Sequence, residues 1–379
     1  MHPSVIDVVG PSFHNHGDRL MALVIEQELG SDYRLAIEGR SPVLFQQLLN
    51  PLYRNTPTAL KLRRWKYYAA AVLPQIVRTT LQAPKYSEIR AVLDCSGFQY
   101  GDQWKDLVAT NQWRIDHYRK LKHGGKRVIM LPQAFGPFKN QTVKEIIKRL
   151  LENTDLIFAR DSYSYEHLVD LGFENPRVRL CPDFSILAQP IPPKNLSEWQ
   201  NCVCIVPNSR MLDMTGDEIG SNYIPFLQSC VRQVHNLNLR PVLVLHEKYD
   251  YKLALLLSQK VQIELPIISR DALATKGVLG SCFGVISSRY HALIGALSQG
   301  VPAIGTGWSH KYKGLFEDYE CPECLLESLS EDDLREKITY LTDNRIRQAL
   351  VEKIRSKAAL NKEKVNRMWQ EIKGILQKS

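Results

Sequence analysis

Gly284-Val285-Ile286-Ser287-Ser288-Arg289-Tyr290-His291-Ala292-Leu293-Ile294-Gly295-Ala296-Leu297-Ser298-Gln299-Gly300-Val301-Pro302-Ala303-Ile304-Gly305 is the stretch that decides the fold. It predicts a strand, a helix and a second strand. Val285 and Ile286 end an apolar run, and Ser287 or Ser288 stands where a helix wants its N-cap. Leu293, Ile294 and Leu297 recur at helical spacing. Gly300 sits where the helix C-terminus calls for a left-handed residue, Pro302 ends it, and Val301 to Ile304 supplies the next strand.

Polar residues crowd one end of that helix. Ser287, Ser288, Arg289 and His291 all fall at or before its first turn. A helix N-terminus offers unpaired N–H groups and the positive end of a dipole, so it attracts anions. A guanidinium and an imidazole added there suit a phosphate or a carboxylate. The residues admit a second reading, in which Arg289 pairs with a carboxylate and His291 is a satisfied interior histidine.

Outward from this unit the same grammar repeats. Val5 to Val9 is a short strand, followed by a loop through Gly10 and Gly17 and a helix ending near Gly30. The loop is not GxGxxG, so a dinucleotide fingerprint is lacking. His14, Asn15, His16 and Asp18 gather above the strand's C-terminal end, where open α/β sheets bind ligands; Asp18 is also placed to cap the helix. Arg34 to Ile37, Ala91 to Cys95, Arg127 to Leu131, Asp155 to Ala159 and Val178 to Cys181 read as further strands. Arg160 stands at a strand end before a helix capped by Asp161 or Ser162. It is either a second anion position or half of a local ion pair with Asp161.

Leu187 to Trp199, with Pro190, Pro192 and Pro193, reads as a linker. The pattern then restarts with strands at Cys202 to Val206, Pro241 to Leu245 and within Val261 to Ile268, and helices at Tyr223 to Leu237 and Asp271 to Leu279. Three helices, roughly Glu331 to Leu341, Asn344 to Ala359 and Lys362 to Gln377, close the chain. The expected fold class is α/β, with two Rossmann-like parallel-sheet domains facing a cleft, as in GT-B glycosyltransferases. The N-terminal domain is expected over 1–190, the C-terminal one over 199–350, and 351–379 is a helix that returns to the first. A ligand in such a pair lies in the cleft, which Arg160 and Arg289 would face.

The 379 residues suffice for two domains with full cores, and the composition, 23% charged and 44% hydrophobic, is that of a soluble globular protein. No apolar run approaches the ~18 residues of a membrane span, and no basic head leads into a long apolar stretch, so a cytoplasmic protein is expected. Eight cysteines in mostly apolar settings suit reduced thiols. Cys321-Pro-Glu-Cys324 has the spacing of half a zinc site, but no second pair completes it, and no metal is expected.

The charge is uneven. Between Leu52 and Arg90 stand eight bases and one acid, which is seven of the chain's net +9, with Trp65, Tyr67 and Tyr68 interleaved. This basic insertion is a membrane-facing element, a nucleic-acid patch or a solvated helix. Peripheral contact with an anionic membrane on its inner face is the expectation, and a nucleic-acid partner is not.

Asn15-His-Gly17-Asp18, Leu131-Pro-Gln133-Ala-Phe-Gly136-Pro137, Ala159-Arg160-Asp161-Ser162-Tyr-Ser164, Pro182-Asp183 and above all Ser287-Ser-Arg289-Tyr-His291-Ala-Leu resemble the polysaccharide pyruvyl transferases, in order and over nearly the whole chain. The resemblance implies a GT-B-like fold and a cytoplasmic enzyme. It implies transfer of a pyruvyl group from phosphoenolpyruvate to a sugar of an exopolysaccharide or its lipid-linked precursor, forming a ketal without a cofactor. Arg289, His291 and Arg160 match the family's donor-binding residues, Lys311 its lysine after the last strand, and Asn15 and Asp18 its N-terminal loop. Ser288, Gln133 and Arg210 complete the expected substrate-binding set. Cys95-Ser96-Gly97-Phe98 departs from the usual glycine run on the acceptor side, and Tyr290 stands where leucine is usual.

The expected chemistry follows. Phosphoenolpyruvate carries two anionic groups and needs at least two cations. Histidine titrates in the range needed to protonate its methylene carbon, so His291 is the expected general acid and Asp18 the expected base. Three rivals stay open: a nucleotide-sugar glycosyltransferase on the same fold, a nucleic-acid binder using the 52–90 stretch, and a silent relative that binds a glycan or a partner.

Overall fold

The structure, a computed structural model, describes residues 4–11, 15–37, 86–213, 217–307 and 309–378. Most of the basic insertion lies outside them. The chain divides into two compact units. Of the described residues, the first comprises 4–11, 21–37, 86–184 and 364–378; the second comprises 15–20, 185–213, 217–307 and 309–363.

The first unit holds a six-stranded parallel sheet built from β1 (Val5–Val9), β2 (Arg34–Ile37), β3 (Ile89–Asp94), β4 (Arg127–Gln133), β5 (Leu156–Ala159) and β6 (Val178–Leu180), in the order β2-β1-β3-β4-β5-β6. β-branched runs buried on both faces give it that form. Helices α1 (His16–Leu29), α2 (Lys105–Thr110), α3 (Trp113–His123), α4 (Gln141–Leu151) and α5 (Ser162–Val169) connect the strands. Val143, Ile146, Ile147, Leu150 and Leu151 of α4 recur at helical spacing and pack into one core with Val92, Val128, Ile157 and Phe135. β4 runs through Pro132, with its pairing to β5 shifting between Met130 and Gln133, so the strand is longer than the sequence predicts. Pro132 is accommodated at that irregularity, where a missing N–H breaks no regular ladder.

The second unit holds β7 (Cys202–Val206), β8 (Arg240–Val244), β9 (Ile267–Ile268), β10 (Gly284–Ser287) and β11 (Ala303–Gly305), all parallel, in the order β11-β10-β7-β8-β9. Its helices are α6 (Arg210–Asp213), α7 (Asp217–Asn236), α8 (Asp250–Lys260), α9 (Ala272–Leu279), α10 (Tyr290–Leu297), α11 (His310–Asp318), α12 (Glu331–Thr342) and α13 (Asn344–Lys378), whose residues from 364 belong to the first unit. Val203, Ile205, Leu243, Ile286 and Phe226 share its core. Gly300 has φ of +80°, the left-handed position that ends α10.

The helix starts are local chemistry. Asp161 accepts from the Ser164 N–H at 2.8 Å, and Asp271 from Leu273 and Ala274 at 3.0 Å each. Two expected caps differ. Asn15, not Asp18, accepts at the start of α1, from the Asp18 N–H at 2.8 Å, because α1 begins at His16, two residues before Asp18. At α10 the N-cap is Arg289, without a side-chain cap, and Ser287 Oγ instead accepts from the Arg289 N–H at 2.9 Å. The two expected last helices are one, α13, since no glycine or proline interrupts 359–362. Asn361 within it is buried and donates to the Asp318 carbonyl at 3.4 Å.

In the first unit α13 places Trp369 edge-on against Phe184 with centroids 5.8 Å apart, and Lys373 on Glu28 at 2.8 Å. Arg90, the last base of the 52–90 run, donates to the Leu376 carbonyl at 2.6 Å and the Gln377 carbonyl at 3.2 Å. A guanidinium at a helix C-terminus satisfies orphan carbonyls and meets the negative dipole end. Lys276, almost fully buried, donates to the carbonyls of Ser185, Ile186 and Ala188 at 2.8–3.0 Å and so fixes the start of the 187–199 connection.

Candidate functional site

In the second unit the chain runs β7 to β8 to β9 on one side, then crosses to β10 and β11 on the other. The loops leaving β7 and β10 therefore diverge, and open α/β sheets bind ligands at such a switch point. Asn208, after β7, donates from Nδ2 to the Ser288 carbonyl at 2.8 Å, tying the two loops together. Tyr223 OH pairs with Ser288 Oγ at 2.7 Å and Tyr312 OH donates to the Ser288 carbonyl at 2.8 Å. Ser288 is 1% exposed, so it organises this turn instead of facing solvent.

Arg289 is next, and two carboxylates hold it, Glu247 after β8 and Asp250 at the start of α8. Its Nη1 lies 2.5 Å from Glu247 Oε2, its Nε donates to Asp250 Oδ2 at 2.9 Å, and its Nη2 pairs with Asp250 Oδ1. Asp250 is fully buried and also accepts from the Ser209 N–H at 2.9 Å. Burial opposes the charge of Arg289, but Asp250 and then Glu247 more than offset it and push the guanidinium above its usual range. The arginine is thus held in a fixed plane by a fork to Asp250.

Three imidazoles gather beside it. Residues 15–20 belong to this unit, and Asn15 forms an antiparallel bridge with Glu247. The His16 N–H donates to the His246 carbonyl at 3.2 Å, and the two rings stand 4.9 Å apart. A Cβ built on Gly17 would lie 2.1 Å from His291 Nδ1, so the α1 backbone lies directly against the His291 ring. Asp18 is the next residue. His246 is buried, and that burial, followed by the charges of His16, His291 and Arg289, pushes its pKa well below the ordinary histidine value. Tyr290 packs edge-on to His291 at 5.5 Å, and Lys311 Nζ lies 5.4 Å from the Tyr290 centroid and 5.3 Å from that of Tyr312.

The structure thus brings together Asn15, Asp18, Ser288, Arg289, His291 and Lys311. Arg210 is exposed; its guanidinium pairs with Asp213 at 2.8 Å, and its backbone N–H donates to Asn208 Oδ1 at 3.0 Å. Arg160 and Gln133 are in the first unit. Arg160, 2% exposed, pairs with Asp183 at 2.9 Å, not with the neighbouring Asp161. Asp161 is occupied as the α5 cap, and β5–β6 pairing brings Asp183 beside Arg160. Gln133 is fully buried at the end of β4 and donates to the Asp94 carbonyl at 3.4 Å.

Three members of the second unit's cluster carry no sequence expectation: His246, Glu247 and Asp250. Their signal was present, since His246 and Glu247 follow a predicted strand directly. The first unit holds another unforeseen cluster where Cys95-Ser96-Gly97 replaces glycines. Buried Asp94 accepts from Ser96 N–H at 2.9 Å, Ser96 Oγ at 2.6 Å, Tyr118 OH at 2.6 Å and Tyr100 OH at 2.5 Å. Arg114 donates to Ser96 Oγ and Tyr100 OH at 2.8 Å each. Burial pushes both tyrosine hydroxyls up, so they stay protonated donors.

All eight cysteines are buried free thiols. Among the described residues no group of His, Cys, Asp and Glu side chains is arranged to hold a metal ion, and no helix is long and apolar enough to cross a membrane.

Solved structures with this fold share little sequence with the chain. Anabaena HepE in complex with UDP-glucose matches 99% of this chain and 100% of its own at 13% identity and TM-score 0.62. MnaA of S. aureus, in its UDP co-structure, matches 100% and 97% at 12% and 0.59. The UDP-N-acetylglucosamine 2-epimerase of Rickettsia bellii matches 98% and 97% at 13% and 0.54. The class is the GT-B-like one, with two parallel-sheet α/β domains. A search of curated protein sequences returns no match. The family model for polysaccharide pyruvyl transferase matches residues 15–310, and the chain belongs to that family.

Proposed function

We propose that this protein transfers the pyruvyl group of phosphoenolpyruvate to two hydroxyls of one sugar in a cell-surface glycan or its lipid-linked precursor. The observation that carries the reading is the placement of Arg289 and His291 together at the switch point of the second sheet, with the α1 loop against His291. Arg289, held flat by Asp250 and Glu247, and Lys311 on its two aromatic rings are the cations this unit offers an anionic donor. Arg160 is assigned to the donor by the family pattern, and like Arg289 its guanidinium is already paired with a carboxylate, that of Asp183.

In this reading His291 gives its proton to the methylene carbon, leaving the adjacent carbon electron-poor. A sugar hydroxyl attacks that carbon and passes its proton to Asp18. The carbon–oxygen bond to phosphate breaks, and the bonding pair leaves with phosphate, which takes the proton held by Asp18. A second hydroxyl attacks the same carbon, returns a proton to His291 and closes the ketal. No redox change is needed. The donor phosphate binds beside a helix N-terminus, as anions do.

The test is incubation with phosphoenolpyruvate and candidate glycans, reading phosphate release and a glycan mass gain of one pyruvate less one water. His291→Ala should keep the fold and lose phosphate release; unchanged turnover removes His291 from the mechanism. UDP-sugars form a second donor panel, because the fold is shared with proteins solved holding UDP or UDP-glucose. Turnover of a UDP-sugar without phosphoenolpyruvate would replace this reading with a glycosyltransferase.

A further inference from the structure

Helix α8 is apolar on two sides. Leu253, Ala254 and Leu257 are buried in the second unit's core, as one face of a surface helix should be. The opposite side should be wholly polar, yet it also carries exposed aromatic and aliphatic residues. Tyr249 is 66% exposed and Tyr251 49%, and Leu255 and Leu256 are exposed as well. At ~100° per residue, Tyr251, Lys252, Leu255, Leu256, Gln259 and Lys260 fall on one continuous outward arc of α8, and the exposed Lys248 and Tyr249 stand in the turn that leads into it.

The charge on that arc has one sign. The only acid between 248 and 260 is Asp250, which points inward and is held by Arg289. Lys248, Lys252 and Lys260 are all exposed. Two tyrosines, two leucines and three lysines without an acid match a bilayer's interface. Tyrosine rings sit at headgroup depth, leucines reach the acyl boundary, and lysine stems lie along apolar surface while their ammonium groups meet phosphate. A protein partner with ordinary mixed charge would leave the lysines unmatched.

We propose that the outward arc of α8 docks on an anionic phospholipid bilayer. The same helix presents Asp250 inward to Arg289, so docking holds the Arg289–His291 site at the membrane surface. The inference does not rest on pyruvyl transfer, because its test reads binding and not turnover.

The experiment is cosedimentation of the full chain with vesicles of phosphatidylcholine alone or mixed with phosphatidylglycerol, at low and high salt. The wild-type chain should bind the mixed vesicles and release at high salt. Lys248→Gln with Lys252→Gln should weaken binding about thirtyfold, at ~1 kcal/mol per lysine. Tyr251→Ser with Leu255→Ser should weaken it at both salt concentrations, with thermal unfolding checked to show an intact fold. The basic 52–90 stretch is present in every variant, so only the difference between variants counts. Undiminished binding by both double variants, or no binding by the wild-type chain, overturns the proposal. So does a dimer in sedimentation velocity that these substitutions dissolve, which would make the arc a contact between copies.

Discussion

Replacing Gly17 with Ala tests the arrangement around His291. The added methyl would stand 2.1 Å from His291 Nδ1 and 2.5 Å from Cε1 and Cγ. Carbon contacts are comfortable only from ~3.5 Å, so the ring or the first turn of α1 must give way by about 1 Å or more. Gly17 is the second residue of α1 and has no positive φ, so the backbone itself accepts alanine and would gain at most the ~0.5–1 kcal/mol of a helix interior. Against that stands an overpacking cost of ~1–3 kcal/mol. The fold should survive with a small loss of stability. Misplacing a reacting group by about 1 Å costs on the order of a hundredfold in rate. Phosphate release from phosphoenolpyruvate should fall by that order, while donor affinity, read by calorimetry, changes much less. Gly374→Ala is the control: nothing lies within 4 Å of its Cβ position in α13, so it should gain about 0.5–1 kcal/mol and leave turnover alone. A Gly17→Ala protein that is folded and turns over within about threefold of wild type would refute the reasoning, since ~10²-fold is expected.

Asp250→Asn leaves Arg289 with one carboxylate and breaks a buried pair, so stability should drop by about 3–5 kcal/mol, read as a lower urea midpoint with unchanged slope. Lys276→Met strips the donor from three carbonyls at once and should cost about 3 kcal/mol or more by the same measurement. His246 sets a pH dependence. Its folded-state pKa lies below its unfolded value, so below about pH 6.5 the unfolded chain binds a proton that the folded one refuses. Its contribution is therefore present above that pH and lost as pH falls, with a slope approaching ~1.4 kcal/mol per unit. Urea titrations from pH 8 to 5 should show this slope, and His246→Phe should flatten it.

Local rules made most of the fold legible in the sequence. β-branched runs, helical spacing, the caps at Asp161 and Asp271 and the stop at Gly300 depend only on residues a few positions apart, so 284–305 sufficed to recognise a parallel α/β chain. The break expected within α13 does not exist, since no glycine or proline at 359–362 stops the helix. The position of Arg289 and His291 at the start of a helix that follows a strand was legible too, as polar residues after an apolar run. What the sequence could not determine was who pairs with whom. Arg160 finds Asp183 because β5 and β6 are neighbours, and Arg289 finds Asp250, 39 positions away, because β7 lies between β8 and β10. His246 is buried among His16, His291 and Arg289 only after three separate loops converge. Caps and periodicity are properties of a few consecutive residues, whereas burial and ion-pair choice are set by which strand ends the sheet order brings together.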